Sequence, residues 1–206
     1  MYKLLVMLFV AVNLFAQVEF DEKIFPYTFE PVFSFENISY KSEEPGKTRL
    51  DIFIQIPYTN LRFLKEDNKF TASYMLTITI YDSLKSNIIN SNSWDETVNV
   101  TGYNAAHSRQ NFNLNLKSFN LYPGRYRVIC EVFDKDSKRN YALDKLIDVK
   151  SINDNPDLSE ILLIAGTVMH NNVEKLIPNI SREIFTSNKE LPFVFEIYSD
   201  KKCSIY

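Results

Sequence analysis

The sequence predicts an antiparallel all-β protein. Three observations carry that expectation. From Phe29 onward apolar residues recur at every second position rather than every third or fourth. Polar, turn-forming clusters separate these runs at hairpin spacing. No long stretch shows the 3.6-residue period of an amphipathic helix.

The runs follow in order. Leu50, Ile52, Ile54 and Ile56 alternate with Asp51, Phe53 and Gln55, which places the first set against a core and the second toward solvent. Pro57 ends that run because it cannot donate to a ladder. Tyr74, Leu76, Ile78 and Ile80 then alternate with Thr71, Ser73, Thr77 and Thr79, residues suited to a pleated surface. Asp82 to Asn87 is a turn by composition, and a strand from Ile88 to Val100 with Trp94 inside it follows. Gly102 to Ser108 interrupts the pattern, and Phe112, Leu114 and Leu116 resume it. Leu121-Tyr122-Pro123-Gly124 reads as a type II turn with Gly124 at positive φ. Tyr126, Val128, Cys130 and Val132 form the next strand, Asp134 to Lys138 turns the chain, and Tyr141 to Ile152 returns. About seven strands of this kind are the signature of an immunoglobulin-like β-sandwich.

The start of the chain reads differently. Lys3 gives a positive beginning, Leu4 to Phe15 is apolar except for Asn13, and Ala16 precedes a charged stretch with Glu19, Asp21 and Glu22. These are the three parts of a secretory signal, so residues 1–16 are expected to be cleaved and the protein exported. The apolar run of about a dozen residues is shorter than the roughly 20 needed to span a bilayer. Cleavage removes one positive charge, Lys3, and takes the net charge from −3 to −4. That mild, evenly spread acidity argues against nucleic acid and anionic membrane surfaces, both of which require clustered Lys and Arg.

The expected organisation is a signal peptide (1–16), a lead-in (17–27), a sandwich (28–152), a polar linker (153–158) and the beginning of a second β domain (159–206). Asn153-Asp154-Asn155-Pro156-Asp157 marks the linker. Beyond it Ile161 to Ile164 and Phe193 to Tyr198 read as strands, in a segment too short to close another sandwich. The alternative is that these strands fold back onto the first sandwich as extra edges. Cys130 and Cys203 fall on opposite sides of the linker, so they read as unpaired rather than as a disulfide.

Several stretches resemble the N-terminal region of the bacterial GWxTD-domain family. They are Leu50 to Tyr58, Tyr74 to Asp82, Trp94-Asp95-Glu96, Leu121 to Tyr126, Val132-Phe133-Asp134 and Phe195 to Tyr198. The resemblance implies a β-sandwich in a large exported envelope protein. The Gly-Trp-x-Thr-Asp motif that names the family is absent here, since the sole tryptophan, Trp94, sits in Ser-Trp-Asp-Glu. Whatever its C-terminal domain does is not carried over.

Chemistry-bearing patterns are sparse, and the protein is expected not to be an enzyme and to need no cofactor. The four glycines are isolated, so no loop can cradle phosphate. His107 and His170 lack the nucleophile and orienting acid of a relay. Two Cys and two His scattered along the chain do not make a zinc site. Trp94 and Tyr103 are the candidate ligand platform, by stacking on sugar rings, against the reading of Trp94 as core. Asp134, Asp136, Asp154 and Asp157 supply hard oxygens of the kind calcium prefers, but too few for a site, and a solvated hairpin and a linker explain them without metal.

The function this supports is a structural or protein-interaction module of the bacterial envelope. It would meet other envelope proteins, or C-terminal domains missing from this sequence, and have no membrane span once the signal is cleaved. The rivals are carbohydrate binding through Trp94 and Tyr103, and the N-terminal part of a larger enzyme.

Overall fold

The computed structural model describes residues 32–153, 157–170, 173–180 and 190–199. The described residues belong to one compact unit, Val32–Tyr206. The strands are β1 (Ser34–Lys41), β2 (Thr48–Pro57), β3 (Leu64–Glu66), β4 (Lys69–Asp82), β5 (Ile88–Val100), β6 (Phe112–Leu121), β7 (Gly124–Asp134) and β8 (Asn140–Val149). A short helix, α1 (Tyr103–Ala106), lies between β5 and β6. The C-terminal strands are β9 (Asp157–Leu158), β10 (Leu162–His170), β11 (Val173–Pro178), β12 (Phe193–Val194) and β13 (Ile197–Tyr198).

Two antiparallel sheets face each other. One has the order β1-β2-β6. The other runs β5-β4-β7-β8, with β3 pairing the start of β4. The chain therefore changes sheet after β2, after β5 and after β6, which is the connectivity of a Greek-key sandwich. The inward set is the one the alternation marks: Leu50, Ile52, Ile54, Tyr74, Leu76, Ile78, Ile80, Val128 and Cys130 are all fully buried. Burying a large aliphatic side chain contributes about 1.5–3 kcal/mol, so this layer dominates the stability of the sandwich.

The corner between β6 and β7 differs from the sequence expectation. Gly124 is not at positive φ; it opens β7 and pairs with Val149. The corner is held instead by Tyr126, whose hydroxyl donates 2.8 Å to the carbonyl of Tyr122. A Cβ on Gly124 would stand 3.7 Å from the Tyr126 ring, at ordinary contact distance. Such a tyrosine corner belongs to immunoglobulin-like sandwiches and is independent support for the fold.

A second departure concerns the outward residues of the three-stranded sheet. Asp51 and Phe53 are buried, not turned to solvent. The segment read as the start of a second domain covers them. Leu162, Ile164 and Ile180 pack with Ile38, Tyr40, Phe53 and Leu114 in one cluster. β10 pairs β11 and β12, and β9 pairs β13, so the cover has small sheets of its own. It also reaches the β1 edge. The Glu160 N–H donates to the Ser39 carbonyl, the Ser39 N–H to the Glu160 carboxylate, and the Lys41 N–H to the Tyr198 hydroxyl. Beneath this layer Arg49 lies over the Tyr40 ring, its Nε 3.2 Å from Asp51 Oδ1 but without hydrogen-bond geometry. Burial, then the nearby Asp51 carboxylate, raises the Tyr40 pKa.

Candidate functional site at an open sheet edge

Besides the three-residue β3, the two sheets have four edge strands. β1 is engaged by the C-terminal segment. β8 carries the inward-pointing Lys145, whose ammonium reaches the Phe35 carbonyl on β1 and lies 4.4 Å from the Phe35 ring. β6 carries the inward-pointing Lys117. Inward charge and lysine are the usual means of stopping an edge from recruiting another strand. The fourth, β5, has neither Lys, Arg nor Pro in its thirteen residues, and its one inward charge, Glu96, is paired with Lys117. Among the described residues it pairs only with β4.

The sequence dictates this hairpin locally. Asp82 closes the turn by accepting the Ser86 N–H at 2.7 Å and the Asn87 side-chain amide at 2.8 Å. These bonds, the backbone one first, hold its carboxyl below the usual pKa. From there β5 runs beside β4 from Tyr81↔Ile88 to Phe70↔Val100, with one bulge between Ile80 and Tyr81. On the outer face hydroxyls bridge the strands, Thr77 to Ser93 at 2.8 Å and Thr79 to Ser91 at 3.0 Å.

Trp94 lies on the inner face of β5, opposite the buried Leu76. It is half-buried and meets Phe119 edge-on, with ring centroids 6.3 Å apart. Lys117 sits 4.6 Å from the Trp94 ring centroid and 2.8 Å from Glu96 Oε1. The ammonium thus neutralises Glu96, the inward-facing acid of β5, while resting on an aromatic face. Deeper in the same gap the buried Tyr74 hydroxyl accepts from Asn113 at 2.6 Å and Asn115 at 2.7 Å. Burial raises the Tyr74 pKa, and the two amide bonds partly offset it.

Tyr103 is elsewhere. It is 63 % exposed, in α1, stacked on His107 at 4.0 Å and edge-on to Phe70 at 6.0 Å. Phe70 pairs with Val100, whereas Leu76 pairs with Trp94. Six strand positions, about 20 Å, separate the two neighbourhoods. Trp94 and Tyr103 therefore do not form one platform.

The acidic candidates are occupied by the fold. Asp134 is buried; Oδ2 accepts the Arg62 N–H at 2.8 Å, and Oδ1 accepts those of Asp136 and Ser137 at 2.9 and 3.1 Å. Asp136 accepts the Ser73 N–H, and Asp157 those of Asn153 and Leu158. The Asn153 bond, then that of Leu158, lowers the Asp157 pKa. Asp154 and Cys203 lie outside the described residues, and His170 ends β10. Among the described residues no three His, Cys, Asp or Glu side chains converge on a metal position. Cys130 is a buried free thiol whose pKa burial pushes up to about 12, which removes it from nucleophilic chemistry near neutral pH.

Sequence reasoning missed the status of β5 as a long edge strand, because pairing order is not visible in periodicity. The inward Lys117 had a signal. Asn113, Asn115 and Lys117 share the parity of Phe119 and Leu121, and the apolar Leu114 and Leu116 share the other. Compared with known proteins, the chain matches no family model and no curated sequence.

Proposed function

We propose that this is an exported, non-catalytic interaction module of the bacterial envelope that binds by accepting a strand at β5. The observation that carries the reading is the thirteen-residue edge of β5, which among the described residues pairs only with β4 and carries no Lys, Arg or Pro. Unpaired main-chain groups along such an edge supply affinity, and alternate side chains supply selection. The signal-like N-terminus and the resemblance to GWxTD-domain proteins support the envelope as its place of action. Among the described residues no helix is long and apolar enough to cross a membrane.

The test is capture of envelope proteins by the mature chain with Asn92→Pro and with Ser93→Pro. Neighbouring residues direct their N–H groups to opposite sides of a strand, so one of the two substitutions spares the β4 ladder. The variant that keeps the parental Tm is the probe. Strand addition requires that this variant lose the captured partners. Unchanged capture would contradict it.

A further inference from the structure

The arginines of the sandwich divide into two groups. Arg49, Arg125 and Arg127 lie against Asp51, Asp148 and Asp144. Among the described residues Arg62, Arg109 and Arg139 have no carboxylate within ion-pair distance. Two of these, Arg62 and Arg139, line one cavity of about 220 Å³. We propose that this cavity binds a small oxyanion of the phosphate class, held between the two guanidinium groups. The inference is independent of the β5 edge.

The chain builds the cavity from two segments that are distant in sequence. One is the loop that follows β2, where a 3-10 turn (Tyr58–Asn60) leads into Leu61 and Arg62. The other is the turn between β7 and β8, which contributes Ser137 and Arg139. The buried Asp134 ties them together. Its Oδ2 accepts the Arg62 N–H at 2.8 Å, and its Oδ1 accepts those of Asp136 and Ser137. Its own backbone N–H donates to the Arg139 carbonyl at 2.9 Å. The Asn60 amide donates 2.9 Å to the Val32 carbonyl and anchors the first segment a second time. Both arginines are therefore carried on backbone that is already held in place, and a ligand would order only their side chains.

The chemistry inside suits an anion. Each guanidinium presents a planar fork of N–H donors and no acceptor. Such forks meet phosphate oxygens two at a time, which a lysine ammonium cannot do. Thr59 and Ser137 line the same space, and among the described residues their hydroxyls have no hydrogen-bond partner, so they are available as donors. Asp134 is the one carboxylate in the lining, and backbone N–H groups already occupy both of its oxygens. Two cations against one engaged carboxylate leave the cavity positive, in a chain whose net charge is −3. That contrast selects a small discrete anion over a broad anionic surface.

The experiment is an NMR titration of the mature chain with sodium phosphate, at ionic strength matched with sodium chloride, following the arginine Nε–H signals. Those of Arg62 and Arg139 should shift together along one saturable curve, and that of Arg109 should stay still. Arg62→Gln and Arg139→Gln should each weaken phosphate about tenfold, as loss of one charge-assisted contact would, and Arg109→Gln should leave it unchanged. All three positions are exposed, so the fold is expected to persist, and Tm checks that. Co-sedimentation with phosphatidylcholine vesicles, with and without phosphatidic acid, separates the sources of the group. Vesicle binding that needs phosphatidic acid and both arginines assigns the cavity to a lipid phosphoryl group. Phosphate binding without vesicle binding assigns it to a soluble one. A shift that stays linear in phosphate, or binding that survives both substitutions, would overturn the site.

Discussion

On the three-stranded sheet the outward residues Ile38, Tyr40, Asp51 and Phe53 are buried, whereas on the five-stranded sheet the outward Ser93, Asp144 and Leu146 stay exposed. The strands alternate in the same way on both. What differs is the segment after residue 158, which lays Leu162, Ile164 and Ile180 on one face and leaves the other to solvent. The same asymmetry extends to the edges. The C-terminal segment binds the β1 edge, while β5, on the sheet it does not touch through that cluster, stands open. Burial and edge protection are thus properties of the layer above a strand as much as of the strand itself.

Substitutions can break this comparison, and the largest effect belongs to the covered face. Phe53→Ala is expected to cost about 4 kcal/mol in urea unfolding, as a buried phenylalanine should. A cost below about 1 kcal/mol would mean that the cover does not pack. Asp134→Ala is expected to cost about 3 kcal/mol, since it strips the acceptor from three backbone N–H groups. The loss should be the same in calcium and in chelator; a calcium-dependent difference would reinstate the metal reading of that turn.

Cys130 gives a pH signature of the shared core. Its folded pKa of about 12 lies above the ordinary thiol value, so the unfolded chain loses the proton first. Stability is full below pH ~9 and declines by about 1.4 kcal/mol per pH unit up to about 12. The thiol should also resist disulfide reagents until the protein unfolds. Rapid labelling of Cys130 at neutral pH in the folded protein would show the core to be open. The smallest effect belongs to the exposed face: Thr77→Ala should change stability by no more than about 0.5 kcal/mol.

Much of the sandwich was legible in the residues, for physical reasons. Alternation placed Leu50 to Ile56, Tyr74 to Ile80 and Val128 to Val132 in the core, because side chains reverse at each strand position. The Asp82 turn was legible because an Asx carboxylate there can bond its own backbone. Periodicity defines two faces without saying what covers the second, so Phe53 and Asp51 were misplaced. It also says nothing of neighbours, so the separation of Trp94 from Tyr103 and the edge position of β5 emerged only from the pairing. Gly124 was misassigned because Pro-Gly suggests a tight turn, whereas Gly124 joins the β7 ladder and the Tyr126 hydroxyl holds the corner at the Tyr122 carbonyl.

The most direct test of the open edge is hydrogen exchange of the β5 amides, residue by residue, at low and high protein concentration and with captured partners. In the isolated chain, alternate β5 amides should exchange rapidly while those facing β4 are protected, and the rapid set should become protected on association. If every β5 amide is already protected in the dilute chain, the edge is closed and strand addition there is excluded.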